Sequence, residues 1–282
     1  MKKTTSIAFI GGGNMSRSLL GGLIADGCDP SSLWAADPDQ AKLDVLREQL
    51  GINVTVDNNE AVSKVETVVL AVKPQALRHV AATLASAIQA RKPLVISIAA
   101  GVLEPDLRFW LGGSVALVRC MPNTPSLVGC GATALYANAL VSEQQCQTAE
   151  SILRAVGLTV WVDEETKLDA VTALSGSGPA YFFLVMEAME KAGVSMGLEL
   201  DSARLLTLQT AFGAAKMALE SSESPAELRA RVTSPGGTTE RAVGVLQAGE
   251  LEALFAKALQ AACGRSQELG KQLGGETPIH PS

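Results

Sequence analysis

A doubly wound α/β sheet followed by an all-helical domain is the fold class this sequence predicts, and three observations predict it. Short apolar segments recur through the first half, separated by helical stretches; a glycine-rich turn follows the first of them; and beyond residue 163 helix follows helix with no convincing strand. Near-continuous apolar runs of this kind indicate a parallel sheet covered on both faces, whose strand C-terminal ends line a ligand crevice.

The first element, residues 6–10, is an apolar strand. Gly11 and Gly13 turn it into a helix whose apolar side carries Met15, Leu19, Leu20, Leu23 and Ile24. A helix N-terminus leaves backbone N–H groups unpaired and carries about half a positive charge, so glycines there let a phosphate reach the backbone. Ser16 stands at the third position of the GxGxxG pattern. It is small enough to keep the helix close to the strand. Strand, turn and helix in that order point to a dinucleotide pyrophosphate; without that context the same residues are a plain turn. A second strand at residues 33–36 ends on Asp37 and Pro38. A carboxylate there accepts from the free 2′-hydroxyl of an adenosine ribose and repels a 2′-phosphate, favouring NAD over NADP. The alternative is that Asp37 caps the helix beginning near Asp39. Further strands are expected at residues 52–56, 67–72 and 94–98, the fourth stopping at Lys73 and Pro74. Ala71, Val72, Lys73 and Pro74, with Ile98, Ala99 and Ala100, then belong at the crevice. Residues 114–121 and 131–137 are again sheet-like.

The 282 residues, 47% hydrophobic, suffice for two cores. The break is placed in the acidic stretch at residues 162–167, giving a dinucleotide-binding domain at 1–163 and a helical dimerisation and substrate domain at 164–282. A net charge of −6 and a pI near 5.1 argue against nucleic acid or an anionic membrane as partner. No segment is long and apolar enough to span a bilayer, and the early apolar run is broken by glycines too soon for a signal peptide. Cytoplasm is the expected compartment. Cys28, Cys120, Cys130, Cys146 and Cys263 have neither metal-ligand nor redox-motif spacing and are expected to be reduced; no metal is expected. The tail, residues 274–282, reads as disordered.

The acid–base inventory is thin. His79 and His280 are the two histidines, both expected at the surface. With no His-x-x-x-His, nucleophile elbow or Walker loop, metal hydrolysis, acyl transfer and phosphoryl transfer lack their parts. Hydride transfer remains, because there the cofactor carries the chemistry.

In the helical half, Gly176 and Gly178 free the backbone ahead of a helix with Pro179 in its first turn. Phe182, Phe183, Val185, Met186 and Met189 make that helix apolar around most of its circumference, and the next helix is similar. A chain this size has little room to bury two such helices alone, which predicts a helical subunit interface. A second glycine turn, residues 232–239, opens another helix. Ser234 and the N–H groups of Gly237 and Thr238 could hold a carboxylate, with the Thr239 or Thr238 hydroxyl beside it. The plainer reading is an N-cap and turn.

Six segments in order, "FIGGGNM" (9–15), "AVKP" (71–74), "SIAAGV" (97–102), "VRCMPNTP" (118–125), "LSGSGPAY" (174–181) and "VTSPGGTT" (232–239), give the chain a wider identity. It resembles the pyrroline-5-carboxylate reductase family over nearly its whole length. The resemblance implies a Rossmann-like N-terminal domain, a C-terminal helical domain that interlocks with a partner subunit, and often rings of dimers. It also implies reduction of the cyclic imine 1-pyrroline-5-carboxylate to L-proline, with NADPH as cofactor or NADH in its place. Carried over, Ile10, Gly11, Gly12, Gly13, Asn14, Met15, Asn58, Ala71, Val72, Lys73, Pro74, Ile98, Ala99 and Ala100 surround the cofactor. Ser234, Gly237, Thr238 and Thr239 bind the imino acid, with the Thr239 hydroxyl at the ring nitrogen, and residues 120–125 form a wall near the nicotinamide or a rigid turn. Gly12 stands where alanine is common in the family, and Asp37 where NADP-preferring members often carry a small or hydroxyl residue. Coenzyme preference therefore stays open. A β-hydroxyacid dehydrogenase would share the two-domain plan, but its catalytic lysine is here Phe182. A dinucleotide-sensing module would share the first half and have no need of the second glycine turn.

Overall fold

The computed structural model describes residues 5–274, so His280 and the tail reading for residues 275–282 lie outside the described residues. Eight strands, β1 (Ile7–Ile10), β2 (Leu33–Ala36), β3 (Asn53–Thr55), β4 (Thr67–Leu70), β5 (Leu94–Ser97), β6 (Leu117–Met121), β7 (Gly131–Ala137) and β8 (Gly157–Trp161), form one sheet in the order β3-β2-β1-β4-β5-β6-β7-β8. The first six are parallel; β7 runs antiparallel to β6, and β8 parallel to β7.

The two-sided burial expected from apolar runs is visible residue by residue. Along β1, Ile7 and Phe9 enter one core with Leu19, Leu20, Leu43 and Ile152, while Ala8 and Ile10 enter the other with Leu77, Leu84 and Ile88. Successive strand side chains point to opposite faces, so a strand buried on both sides must be apolar throughout. The covering helices are α1 (Asn14–Ala25), α2 (Gln40–Leu50), α3 (Asn58–Ser63), α4 (Pro74–Arg91), α5 (Glu104–Trp110) and α6 (Glu143–Arg154).

Strand order reverses at β1, with β2 on one side and β4 on the other, and that is where an open α/β sheet leaves a crevice beyond its strand C-termini. β4 ends at Leu70 rather than at residue 72 and β5 at Ser97 rather than at residue 98. Ala71, Val72 and Ile98 thus lie just past the strand ends, at the start of the loops that follow. The edge strand β8 was not among the strands expected, although Thr159, Val160 and Trp161 are strand formers; Leu158 and Val160 are both half exposed, so no alternating core face marks it.

After α7 (Lys167–Val171) the helix widens into a π-turn over Thr172–Gly176, with the Ser177 N–H donating to the Thr172 carbonyl at 2.8 Å. The chain divides into two compact units: residues up to 177 with those from 261, and residues 178–260. The sequence boundary after residue 163 falls inside the first unit, which continues through α7 and the π-turn. The second unit contains α8 (Gly178–Ser195), α9 (Leu200–Glu220), α10 (Pro225–Arg231), α11 (Thr238–Ala248) and the start of α12 (Leu251–Gly274). Gly193 lets α8 approach α9, since a Cβ there would stand 3.3 Å from Ala203 Cβ. The Tyr181 and Phe255 rings meet edge to face at 6.5 Å. Phe182, Phe183, Leu205, Phe212 and Leu219 are nonetheless more than half exposed.

Among the described residues no helix is long and apolar enough to cross a membrane, no cluster of His, Cys, Asp and Glu could hold a metal ion, and the five cysteines are free.

Candidate functional site

The turn after β1 takes its shape from the sheet. Gly11 has φ +107, and a Cβ on it would lie 2.8 Å from the Ala71 carbonyl oxygen, so only glycine fits. Its N–H donates to Ala36 O at 2.7 Å, and the buried Ser16 hydroxyl donates back to its carbonyl at 2.5 Å. Ser16 therefore does more than stay small: it closes the turn from the helix side. Gly13 is the N-cap of α1 and offers no side-chain cap, and a Cβ built on it would meet nothing within 4 Å. The head of α1 thus carries no capping side chain, and no Cβ at residue 13 narrows the space before it. That is the arrangement an anionic pyrophosphate requires, and a dinucleotide fits it.

Neighbouring strand ends complete the crevice. Ala71 N–H donates to Ile10 O at 2.8 Å and Ile98 N–H to Leu70 O at 3.2 Å, so the loops after β1, β4 and β5 stand side by side. Ile10, Gly11, Gly12, Gly13, Asn14 and Met15 are thereby brought together with Ala71, Val72, Lys73, Pro74, Ile98, Ala99 and Ala100. Asn58 is the first residue of α3, whose Ala61 and Val62 pack into the same core as Ile10 and Leu77.

Asp37 lies under the glycine turn and is 7% exposed. Its Oδ2 accepts from Gly12 N–H at 2.8 Å and its Oδ1 from Asp39 N–H at 2.9 Å, with Lys42 Nζ at 3.5 Å from Oδ1. Asp39, not Asp37, caps α2, accepting from the N–H groups of Ala41 and Lys42. A Cβ on Gly12 would stand 3.3 Å from both Asp37 Cβ and Leu46 Cδ1, so the glycine at position 12 leaves room for this carboxylate.

The second glycine turn is held locally. Gly237 N–H donates to Ser234 O at 3.0 Å, across Gly236 at φ +72, and Gly237 is the N-cap of α11 without a side-chain cap. The Gly237 N–H is thus engaged within the turn, while the N–H groups of Thr238 and Thr239 begin the helix. Ser234 and Thr238 are exposed and Thr239 is half-buried. Glu240 Oε2 accepts from Gly236 N–H at 2.7 Å, a contact for which only the Glu directly after the threonine pair gave a signal.

The segment at residues 121–125 is a joint between strands and the π-turn. Asn123 accepts from Ala132 N–H at 2.9 Å and donates to Ser175 O at 3.1 Å, and a Cβ on Gly176 would lie 2.5 Å from Met121 Cε. Just behind it Arg119, 7% exposed, forms an ion pair with Glu165. Sequence reading missed this pair, although an arginine inside the apolar strand β6 was a usable signal: a buried charge must find a partner. His79 is exposed on α4, as expected, and Phe182 is exposed on α8.

Two family models match the chain: pyrroline-5-carboxylate reductase dimerisation over residues 165–269, and NADP oxidoreductase, coenzyme F420-dependent, over residues 6–101. A pyrroline-5-carboxylate reductase of Pseudomonas aeruginosa is 52% identical over 271 residues, covering 96% of this chain and 99% of that one. The solved pyrroline-5-carboxylate reductase of Coxiella burnetii superposes with a TM-score of 0.93 at 49% identity, covering 95% of this chain and all of that one. The Plasmodium falciparum pyrroline carboxylate reductase with NADP bound gives a TM-score of 0.83 at 28% identity, covering 95% and 99% of the two chains.

Proposed function

The chain belongs to the pyrroline-5-carboxylate reductase family, and from that premise we propose how its own residues carry the NAD(P)H-dependent reduction of 1-pyrroline-5-carboxylate to L-proline. Full-length identity to named reductases carries the activity; the uncapped, Cβ-free head of α1 supports the coenzyme site.

The N–H groups at the head of α1 hold the pyrophosphate, with Gly11, Gly12 and Gly13 allowing the approach and Asn14 and Met15 opening the helix. Residues 71–74 and 98–100 line the rest of the dinucleotide, and Asn58 lies at its adenosine side. When bound, the reduced nicotinamide supplies the hydride that the imine carbon accepts. Ser234 and the N–H groups of Thr238 and Thr239 hold the substrate carboxylate; Gly237 contributes by fixing the turn. The Thr239 hydroxyl accepts from the protonated ring nitrogen, orienting the ring. An iminium ion is already a good hydride acceptor, so no strong protein acid is needed. This agrees with a histidine inventory of exposed His79 and tail His280.

For coenzyme choice we propose that NADPH and NADH are both accepted. Asp37 keeps acceptor capacity toward a ribose 2′-hydroxyl, while Lys42, half exposed beside it, can lean on a 2′-phosphate. The exposed apolar surface of α8 and α9 supports a homodimer through the C-terminal helices as the unit of assembly, with rings of dimers as the larger form. Free cysteines fit a reducing compartment, the cytoplasm.

The test is coenzyme oxidation with pyrroline-5-carboxylate as acceptor, NADPH and NADH in parallel, with proline quantified. Both should be oxidised one for one with proline formed. Oxidation that does not depend on the imine, or none with either coenzyme, would overturn the reading.

A further inference from the structure

We propose that Glu165 is a positioning residue for dinucleotide binding: it fixes the far end of the crevice loop after β5 by capping α5 from outside the helix. The inference rests on the crevice reading above.

The loop spans residues 98–103. Its near end is tied to the sheet by Ile98 N–H on Leu70 O, and Ala99 N–H reaches Ser97 Oγ at 3.4 Å. Its far end is Leu103, the N-cap of α5, whose apolar side chain can accept nothing. Glu165 supplies what Leu103 lacks. Its Oε1 accepts from Glu104 N–H at 2.5 Å, from a position 61 residues further along the chain. The same oxygen pairs with the buried Arg119 on β6. Glu104 in turn accepts through Oε1 from Asn138 Nδ2 at 2.8 Å and from Arg108 Nε at 3.0 Å. One carboxylate thereby joins the head of α5, strand β6 and the chain leading into α7.

The surroundings give the loop little freedom elsewhere. Val102 is fully buried, and Gly101 sits at φ +75 where a Cβ would lie 3.3 Å from Leu273 Cδ1. Tyr136 lies beside the network: burial pushes its phenol up, the Glu165 and Glu104 charges push it further, and Arg119 opposes them. A supporting residue of this kind acts by holding the groups that touch the ligand, so its loss is felt as misplacement of the loop.

Three full-length variants test this, each checked for folding by circular dichroism and for assembly by sedimentation. Dinucleotide Kd is read by calorimetric titration and the two KM values by steady-state kinetics. Glu165→Ala should weaken dinucleotide binding roughly three- to tenfold with the KM for pyrroline-5-carboxylate within about twofold of wild type, and Glu165→Gln, which keeps an acceptor oxygen for Glu104 N–H but takes the charge from beside Arg119, should recover part of the loss. Where the alanine variant does not fold, Glu165→Asp decides: its carboxylate is one methylene too short, and a dinucleotide Kd equal to wild type would overturn the proposal. So would a folded, assembled Glu165→Ala with unchanged Kd, or a parallel rise in both KM values. A wild-type protein that binds no dinucleotide would instead overturn the crevice reading itself.

Discussion

The two glycine turns of this chain open helices of similar length, yet they are held by opposite means. The turn at residues 11–13 is gripped by the sheet: Gly11 faces the Ala71 carbonyl, and Ser16 bonds back to it. The turn at residues 234–237 has no such neighbours. A Cβ on Gly236 would meet nothing within 4 Å, and the turn is closed by local bonds, Gly237 N–H to Ser234 O and Gly236 N–H to Glu240 Oε2. The same contrast separates the units that carry them. The first buries large side chains such as Phe9, Leu20 and Leu84 completely, while the second leaves Phe182, Leu205 and Phe212 more than 60% exposed. The first turn is therefore held by its own chain's sheet, whereas the helical unit that carries the other turn exposes an apolar surface suited to a second copy.

The largest effect should come from that surface. Leu205→Asp changes an exposed residue, which in an isolated chain would cost no more than about 0.5 kcal/mol. In an assembled helical interface the same change buries an unpaired charge. Sedimentation at micromolar concentration should then show monomer, with activity lost; an active dimer would break the comparison.

Next is Thr239→Ala, expected to lower kcat/KM about tenfold to a thousandfold with the dinucleotide Kd unchanged, the usual range for one positioned hydroxyl. Thr239→Ser should recover most of it, and wild-type kinetics in the alanine variant would remove the residue from the mechanism.

A paired substitution probes the turns directly. Gly11→Ala places a Cβ against backbone at φ +107 and should cost roughly 2–3 kcal/mol together with dinucleotide binding. Gly236→Ala, at φ +72 in open space, should cost only about 1 kcal/mol. Thermal melts and calorimetric titration give both numbers, and equal penalties would contradict the difference drawn here.

The smallest effect is on coenzyme choice. Asp37→Ser removes a carboxylate that anchors Gly12 N–H and, on the proposed reading, meets the ribose, so binding of both coenzymes should weaken, that of NADH more. The NADPH:NADH ratio of kcat/KM should rise several fold, about 1 kcal/mol of electrostatics at a partly solvated site. An unchanged ratio would mean that Asp37 serves the turn alone.

Most of the sheet was legible because strands buried on both faces must be nearly continuous apolar runs, and β1, β2, β4 and β5 are, with Thr67 and Ser97 as the polar ends. β8 was not, since an edge strand with Leu158 and Val160 half exposed lacks a core pattern. The glycine turns could be placed from local residues, but who bonds whom could not. Asp37 read equally as ribose acceptor or helix cap, and only the fold shows Asp39 capping α2 while Asp37 turns toward Gly12. Glu165 read as one acid in a boundary stretch; its partners Glu104 and Arg119 are distant in sequence. The π-turn at Thr172–Gly176 likewise meets a distant partner, Asn123 donating to Ser175 O, that no local pattern announces.

The reaction assigned to this chain moves a hydride from reduced nicotinamide to the imine carbon of pyrroline-5-carboxylate. Turnover with coenzyme deuterated at the transferable position of nicotinamide C4, followed by mass and NMR analysis of the proline, tests it most directly. One deuterium at the δ carbon of every proline formed is the predicted result, with labelled proline appearing more slowly in Thr239→Ala but carrying the same single deuterium. Proline formed without deuterium at that carbon, or deuterated coenzyme consumed with no proline formed, would contradict it.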